Sequence, residues 1–353
     1  MAEEIKIEAG FACPLPVTSR DFVLLGHGSG GKMSADLLRE LLMPAFQNPI
    51  LARQDDQAIV EINGLRLAFT TDSFVVKPLF FPGGDIGSLA VNGTVNDLAM
   101  GGAKPLFLSL AFILEEGLPM HVLRKVIESV SAAAARAGVQ IVTGDTKVVE
   151  KGSGDGLFIN TSGIGLVPEG VRLSANQARP GDCVLLSGSI GDHGITILSQ
   201  REGLSFESPI ESDTAALHTL VADMLRTTDE IRCLRDPTRG GLSSSLNEIA
   251  ACSQVGIELQ ESSLPIREEV QGACEMLGLD PMYVANEGKL VAIASPAAAH
   301  ALLGTMRAHP LGREAQIIGT VTDAHTGMVT MRTRLGTSRI VDLLTGDQLP
   351  RIC

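Results

Sequence analysis

Two alternating apolar runs, AIVEI and LRLAF, flank Asn63-Gly64 in the stretch 58–69. Asn-Gly between such runs is the preferred type I′ hairpin loop. It sets Ile62 opposite Leu65, and the other pairs follow in step. Extended toward the open end, that register places Asp55 across from Asp72, and Asp56 across from Thr71. Further apolar runs predict strands at 105–114, 140–144 and 157–167, and helices at 85–100 and 120–137. The second helix gathers Val122, Val126, Ile127, Val130 and Ala134 on one face and stops at Gly138. The polar, proline-containing stretch VPEGVRLSANQARPGD at 167–182 then breaks the pattern. Beyond it, a strand CVLLSG leads into helices near 192–200, 213–226 and 239–253, and strands near 316–323, 327–333 and 338–342 close the chain. Helices and hairpins mix in both halves, so the pattern predicts two α+β domains, 1–168 and 169–343, followed by a mobile tail, 344–353.

Composition adds limits. The chain of 353 residues has no Trp and one Tyr, so Leu, Val, Ile and Ala must fill its cores. A formal charge of −13 sets it against nucleic acid or an anionic membrane as a partner. The longest apolar run, LFLSLAFIL, is too short for a bilayer, and MAEEIKIEAG has no apolar signal core. A cytoplasmic protein is expected. No cysteine pair has C-x-x-C spacing, and Cys183, Cys233, Cys252 and Cys274 sit in apolar contexts as core fillers. Cys353 differs: it follows QLPRI at the end of the sequence, where no packing accounts for it, and suggests a thiol carried on a short tether.

Acidic residues supply the next candidates. Asp55, Asp56 and Asp72 would crowd one hairpin end, where like charges repel. A divalent cation would relieve that repulsion, as would solvation of a frayed end. Asp97 lies late in a helix bearing Asn92 and Asn96, with Gly93 one turn before it marking a close approach. Asp145 and Lys147 follow a strand. Oxygen ligands of this kind suit Mg²⁺ and its phosphate partners. The segment LLGHGSGGKMSADLL has G-x-x-x-x-G-K from Gly26 to Lys32, but Met33 stands where a P-loop needs Ser or Thr. A P-loop is therefore not expected. The backbone N–H groups around Gly30 and Gly31, with the Lys32 ammonium, still suit phosphates. In the second half, His193 lies in GDHGI, Asp236 and Arg239 precede a helix that opens on glycines, and Asn286-Glu287 enter a strand.

The stretches GHGSGGKMS, DDQAIV, TTDSFVV, GGDIGSLAVNGTVNDLAMGGAKP, VTGDTKVVE, GDHGI, DPTRGGL and NEGK, in that order, resemble the aminoimidazole ribonucleotide synthetase (PurM-like) superfamily. The final PRIC resembles one branch of it, the HypE family of hydrogenase maturation proteins. The resemblance implies two PurM-like domains, the first forming a dimeric β-barrel-like interface. It implies a homodimer that uses ATP and Mg²⁺. A carbamoyltransferase, HypF, would load Cys353 as a thiocarboxamide. ATP would dehydrate this to a thiocyanate, and a HypC–HypD complex would pass the cyanide ligand to the iron of NiFe hydrogenase. Asp56, Asp72, Asp97 and Asp145 would hold the metal and, through it, the nucleotide, with Lys32, Gly30, Gly31 and Asn92 at the nucleotide. Lys147 and Glu287 would meet the thiocarboxamide, with Glu287 as general base. Two other classes share these residues: another enzyme that phosphorylates amide oxygens, and a non-catalytic nucleotide-binding scaffold.

Overall fold

The Asn63-Gly64 loop forms as the pattern predicts, with positive φ at both positions (52° and 79°). It joins β1 (Ala58–Ile62) to β2 (Leu65–Phe74) with Ile62 paired to Leu65 and Glu61 to Arg66. The computed structural model describes residues 22–204 and 210–345. Before β1, the glycine-rich stretch ends at α1 (Lys32–Leu37), which continues through a π-helical turn into α2 (Met43–Phe46). After β2 come the small ribbon β3 (Phe80–Phe81) and β4 (Gly84–Asp85), then α3 (Ile86–Met100), β5 (Lys104–Glu115), α4 (Met120–Ala137), β6 (Gln140–Val149) and β7 (Leu157–Leu166). Gly138 ends α4 in the left-handed region, as expected.

The first sheet runs β1-β2-β7-β5-β6 and is mostly antiparallel, with β5 and β6 parallel. Its inner face packs on α3 and α4 through Ala68, Phe74, Leu108, Leu157 and Ile159. Its outer face leaves Phe69, Phe107, Ile113 and Ile164 substantially exposed. The sheet is open, with β1 and β6 at its edges, so the described residues form no closed barrel.

The second half builds a seven-stranded sheet. Its strands are β8 (Cys183–Leu186), β9 (Ile231–Arg235), β10 (Gly256–Gln260), β11 (Val291–Ala294), β12 (Gln316–Thr322), β13 (Val329–Arg332) and β14 (Ser338–Ile340). They lie in the order β14-β13-β10-β12-β8-β11-β9. Its helices are α5 (Asp192–Glu202), α6 (His218–Thr227), α7 (Gly241–Ser253), α8 (Glu268–Leu277) and α9 (Pro296–Ala308). Leu242, Leu246 and Ile249 of α7 pack on one face, and α6 with α9 pack on the other. Burial on both faces explains the uninterrupted apolar runs VLL and VAIA. Ala99 and Met100 of α3 join the α6–α9 core, so the two halves share packing. Of the four expected core cysteines, Cys233 and Cys274 are buried, and Cys183 and Cys252 are half-buried.

The helix expected from 213 starts only at His218. Asn96 of α3 takes the preceding backbone: its amide donates to Ala215 O (3.0 Å), and its oxygen accepts from Leu217 N (2.8 Å). Residues 210–217 thus form a strap over α3 rather than a helical turn.

Candidate active site

Every residue of α3 except Asp97 is buried, and Asp97 faces a cleft of about 260 Å³ between the two halves. The first half contributes Gly30, Asp56, Thr71, Asp72, Gly93 and Asp97, and the second half contributes Arg235, Asp236, Arg239, Glu248 and Glu287. A larger groove, about 490 Å³, lies over Arg267 and Glu314 but gathers no comparable set of buried acids.

Local structure places each group. Alternation along β2 turns Asp72 to the helix side, beside Gly93. A Cβ on Gly93 would lie 2.9 Å from the Phe74 ring, so this glycine admits the strand's side chain. Thr70 Oγ1 donates to Asp97 Oδ2 (2.7 Å) and to the backbone oxygen of Asp56 (3.0 Å), tying the hairpin end to α3. The hairpin register does not extend to the acids, because pairing ends at Ala58–Phe69. Asp55 leaves instead to accept from Ser174 Oγ and Ala175 N, both at the domain junction.

Arg235, at the end of β9, is the main positive group. It pairs with Asp56 (3.2 Å) and with Glu248, and it donates to Gln54 O (2.9 Å). Burial works against its charge, but Asp56 and Glu248 outweigh that and keep it protonated. Burial lifts Asp56 to about 6 against the pull of Arg235, with Glu248 and Asp55 adding to the rise. Burial, then Asp236, Asp72 and Asp56, pushes Asp97 well above the usual range. Asp236 rises likewise, by burial and then Asp56. Glu287, only 3% exposed, has one carboxylate oxygen with no hydrogen-bond partner. Burial raises it strongly, followed by the charges of Asp72, Asp236 and Asp213. Buried acids in this number favour a cation or a polyphosphate-bound cation. Among the described residues, no three such side chains converge closely enough to grip a metal ion by themselves.

The glycine-rich loop sits at the cleft mouth. Gly30 has φ 75°, and a Cβ there would lie 2.5 Å from Arg239 O. Gly31 has no room either, since its Cβ would meet Leu344 O at 2.4 Å. Lys32 N donates to that same oxygen (2.8 Å), and Ser244 Oγ donates to Gly30 O (2.8 Å). The loop therefore bridges α7 and the first residue of the expected tail. The Lys32 side chain is exposed.

Other expected residues lie elsewhere. Asn92 is turned to Thr214 Oγ1 (3.2 Å) and does not line the cleft. Asp145 and Lys147 pair with each other (2.8 Å) on the exposed edge strand β6, away from the cleft of their own chain. Lys147 and the Thr146 N–H hold the Asp145 carboxyl below its ordinary range. His193 is buried against Phe81 and bonded to Ser212 Oγ (2.7 Å). Cys353 lies outside the described residues. Pattern reading missed Arg235 and Glu248 and gave Asp236 only a helix-start role. Glu248 did carry a signal, as the lone charge on the otherwise uncharged α7.

Residues 54–167 match the AIR synthase related protein N-terminal domain, and residues 179–332 match its C-terminal domain. The carbamoyl dehydratase HypE of Azotobacter vinelandii is 60% identical over 327 residues, 93% of this chain and 96% of that protein. This chain is a member of the HypE carbamoyl dehydratase family. Solved structures of the family agree. HypE from a HypE–HypF complex is 51% identical with a TM-score of 0.84, covering 87% of this chain and 99% of that one. HypE in complex with ATP is 50% identical with a TM-score of 0.80, covering 94% and 100%.

Proposed function

We propose that this HypE family member dehydrates a carbamoyl group carried on Cys353, using ATP bound in the interdomain cleft. The observation that carries this reading is Glu287, a buried carboxylate with an unpartnered oxygen facing a cleft lined with acids. Family membership supplies the reaction class, and the relative solved with ATP supports the nucleotide. HypF, co-crystallised with a relative, is the proposed carbamoyl donor, and a HypC–HypD complex the acceptor of the cyano group.

An amide oxygen is a poor leaving group. Phosphoryl transfer from ATP to that oxygen converts it to phosphate, and loss of the two N–H protons closes the C≡N bond. The products are a thiocyanate on Cys353, ADP, phosphate and a proton. Glu287 takes an N–H proton, and burial raises its basicity to suit that task. Asp56, Asp72, Asp97 and Asp236 supply the carboxylates from which one or two would hold Mg²⁺ together with the phosphates of ATP, and the ion would supply charge neutralisation for the triphosphate. All four are carboxylates, the donors a hard cation takes, and their mutual repulsion favours it. Arg235 stands as the countercharge at Asp56. The loop at Gly30, Gly31 and Lys32 covers the phosphates, and Asn92 steadies the helix that carries Asp97.

The active form is a homodimer joined through the first sheet. Phe69, Phe107, Ile113 and Ile164 give its outer face an apolar surface, and β6 is exposed along nearly its whole length. We assign Asp145 and Lys147 to the cleft of the second copy, with Asp145 toward the cation and Lys147 toward the thiocarboxamide oxygen. The domains are 1–168 and 169–343, with a tail from 344. No helix among the described residues is long and apolar enough to cross a membrane, in keeping with a cytoplasmic role.

Phosphate release tests the reading. With ATP and Mg²⁺, it should require prior carbamoylation of Cys353 and should vanish in Cys353→Ala. Equal release from the unloaded chain would contradict it.

A further inference from the structure

Glu287 is held through its backbone on both sides, while one oxygen of its carboxylate, Oε1, has no hydrogen-bond partner. Its N–H donates to Asp213 Oδ1 (3.0 Å), and the next N–H, of Gly288, donates to Asp213 Oδ2 (3.3 Å). Its carbonyl accepts from Asn96 Nδ2 (3.3 Å) and Ala215 N (3.4 Å). Asn286 is fixed by Gly191 N (2.7 Å) on its oxygen and by Pro237 O (2.9 Å) on its amide. A Cβ on Gly288 would lie 1.8 Å from Asp213 O, so this glycine lets the strap pass. Lys289 pairs with Asp213 at 3.1 Å, with side-chain exposures of 12% and 4%. The NEGK stretch therefore divides its work: Asn286 and Gly288 admit and fix the backbone, and Lys289 neutralises the buried Asp213.

We infer that Asp213 is the positioning residue for Glu287. The inference rests on Glu287 acting as the base. One carboxylate accepts two consecutive N–H groups, and charge-assisted bonds of this kind are the stronger ones. That fixes the peptide plane on which the Glu287 side chain pivots. Asp213 sits on the 210–217 strap, which is itself bonded to α3 through Asn92 and Asn96. The helix that carries Asp97 thus also sets the place of Glu287, and the proton acceptor and the acids of the cleft share one frame. A base misplaced by about 1 Å can lose about 100-fold in rate.

The test uses the full chain, carbamoylated beforehand. Single-turnover dehydration is followed by intact mass, and ATP affinity by calorimetry, in the wild type, Asp213→Asn, Glu287→Gln and the double variant. Asp213→Asn keeps the shape but replaces an acceptor oxygen with an amide. The rate should fall ~10–100-fold while ATP affinity stays within ~2-fold, the pattern of an interaction made in the transition state. In the Glu287→Gln background, Asp213→Asn should lower the rate no further. An unchanged rate in Asp213→Asn overturns the inference, as does a full multiplicative loss in the double variant or a parallel loss of ATP affinity. If Glu287→Gln itself dehydrates normally, the base assignment falls. If it is inactive and Asp213→Asn is normal, only the positioning role falls. Should Asp213→Asn fold poorly, Asp213→Asn/Lys289→Met removes the stranded ammonium, and the same rate loss is expected. A wild-type rate in that variant overturns the inference.

Discussion

Replacing Arg235 with Met probes the junction that holds the acidic cleft together. Methionine keeps most of the apolar stem and deletes the guanidinium. The deletion removes the Asp56 pair at 3.2 Å, the Glu248 pair and the bond to Gln54 O at 2.9 Å. Asp56 is 14% exposed and Arg235 13%, so water replaces little of what is lost. Glu248 is 41% exposed, and its share is correspondingly small. Stranding one member of a buried pair costs about 3–5 kcal/mol. Most of that penalty belongs to the uncompensated Asp56 carboxylate. Asp56→Asn in the same chain should therefore restore most of the stability, to within about 1.5 kcal/mol of wild type. Equilibrium urea unfolding without Mg²⁺, followed by circular dichroism, measures all four corners of the cycle. A single variant within about 1 kcal/mol of wild type would refute the reasoning, and so would a double variant no more stable than Arg235→Met.

Gly31 has φ −99° and ψ −158°, a conformation open to alanine, so Gly31→Ala tests contact rather than backbone strain. Its Cβ would lie 2.4 Å from Leu344 O and should part the loop from the tail root. Amide exchange at Lys32 should speed up, and an unchanged rate there would count against the loop's bridge to Leu344. Burial holds Glu287 protonated above its ordinary range, and a base works only when ionised. Dehydration by the preloaded chain should therefore rise with pH through an inflection above the ordinary glutamate value of about 4.3; an inflection at that ordinary value would remove the burial argument. Phe69→Glu with Ile164→Glu places charges on the outer sheet face and should turn the proposed dimer into a monomer by light scattering. A dimer mass unchanged by the substitutions would place the interface elsewhere, and a monomeric wild type would remove the dimer.

Much of the frame was legible from local pattern, because local chemistry decides it. Asn63-Gly64 set the first hairpin, and its paired register follows from the loop alone. Asp56 and Asp72 stood out as like charges crowded at one hairpin end, and Asp97 as an acid late in a helix beside Asn92, Asn96 and Gly93. The extrapolated Asp55–Asp72 pairing failed for a tertiary reason: Ser174 and Ala175 of the other half draw Asp55 away. Arg235, Asp236 and Glu248 belong to the same cleft, yet they reach it by docking of the two halves, which no local period encodes. The late start of α6 has the same origin, since Asn96 takes bonds that a helical turn would have made. Asp213 gave no signal in the sequence, because its role lies in two backbone N–H groups far along the chain.

The central claim is that Cys353 carries the reacting group, and intact-mass measurement tests it most directly. Incubation with the carbamoyltransferase and carbamoyl phosphate should add one carbamoyl group to the chain. ATP and Mg²⁺ should then remove the mass of one water, leaving a thiocyanate on Cys353. Cys353→Ala should show neither step while still folding and binding ATP. Carbamoyl uptake followed by loss of water in the Cys353→Ala chain would contradict the account.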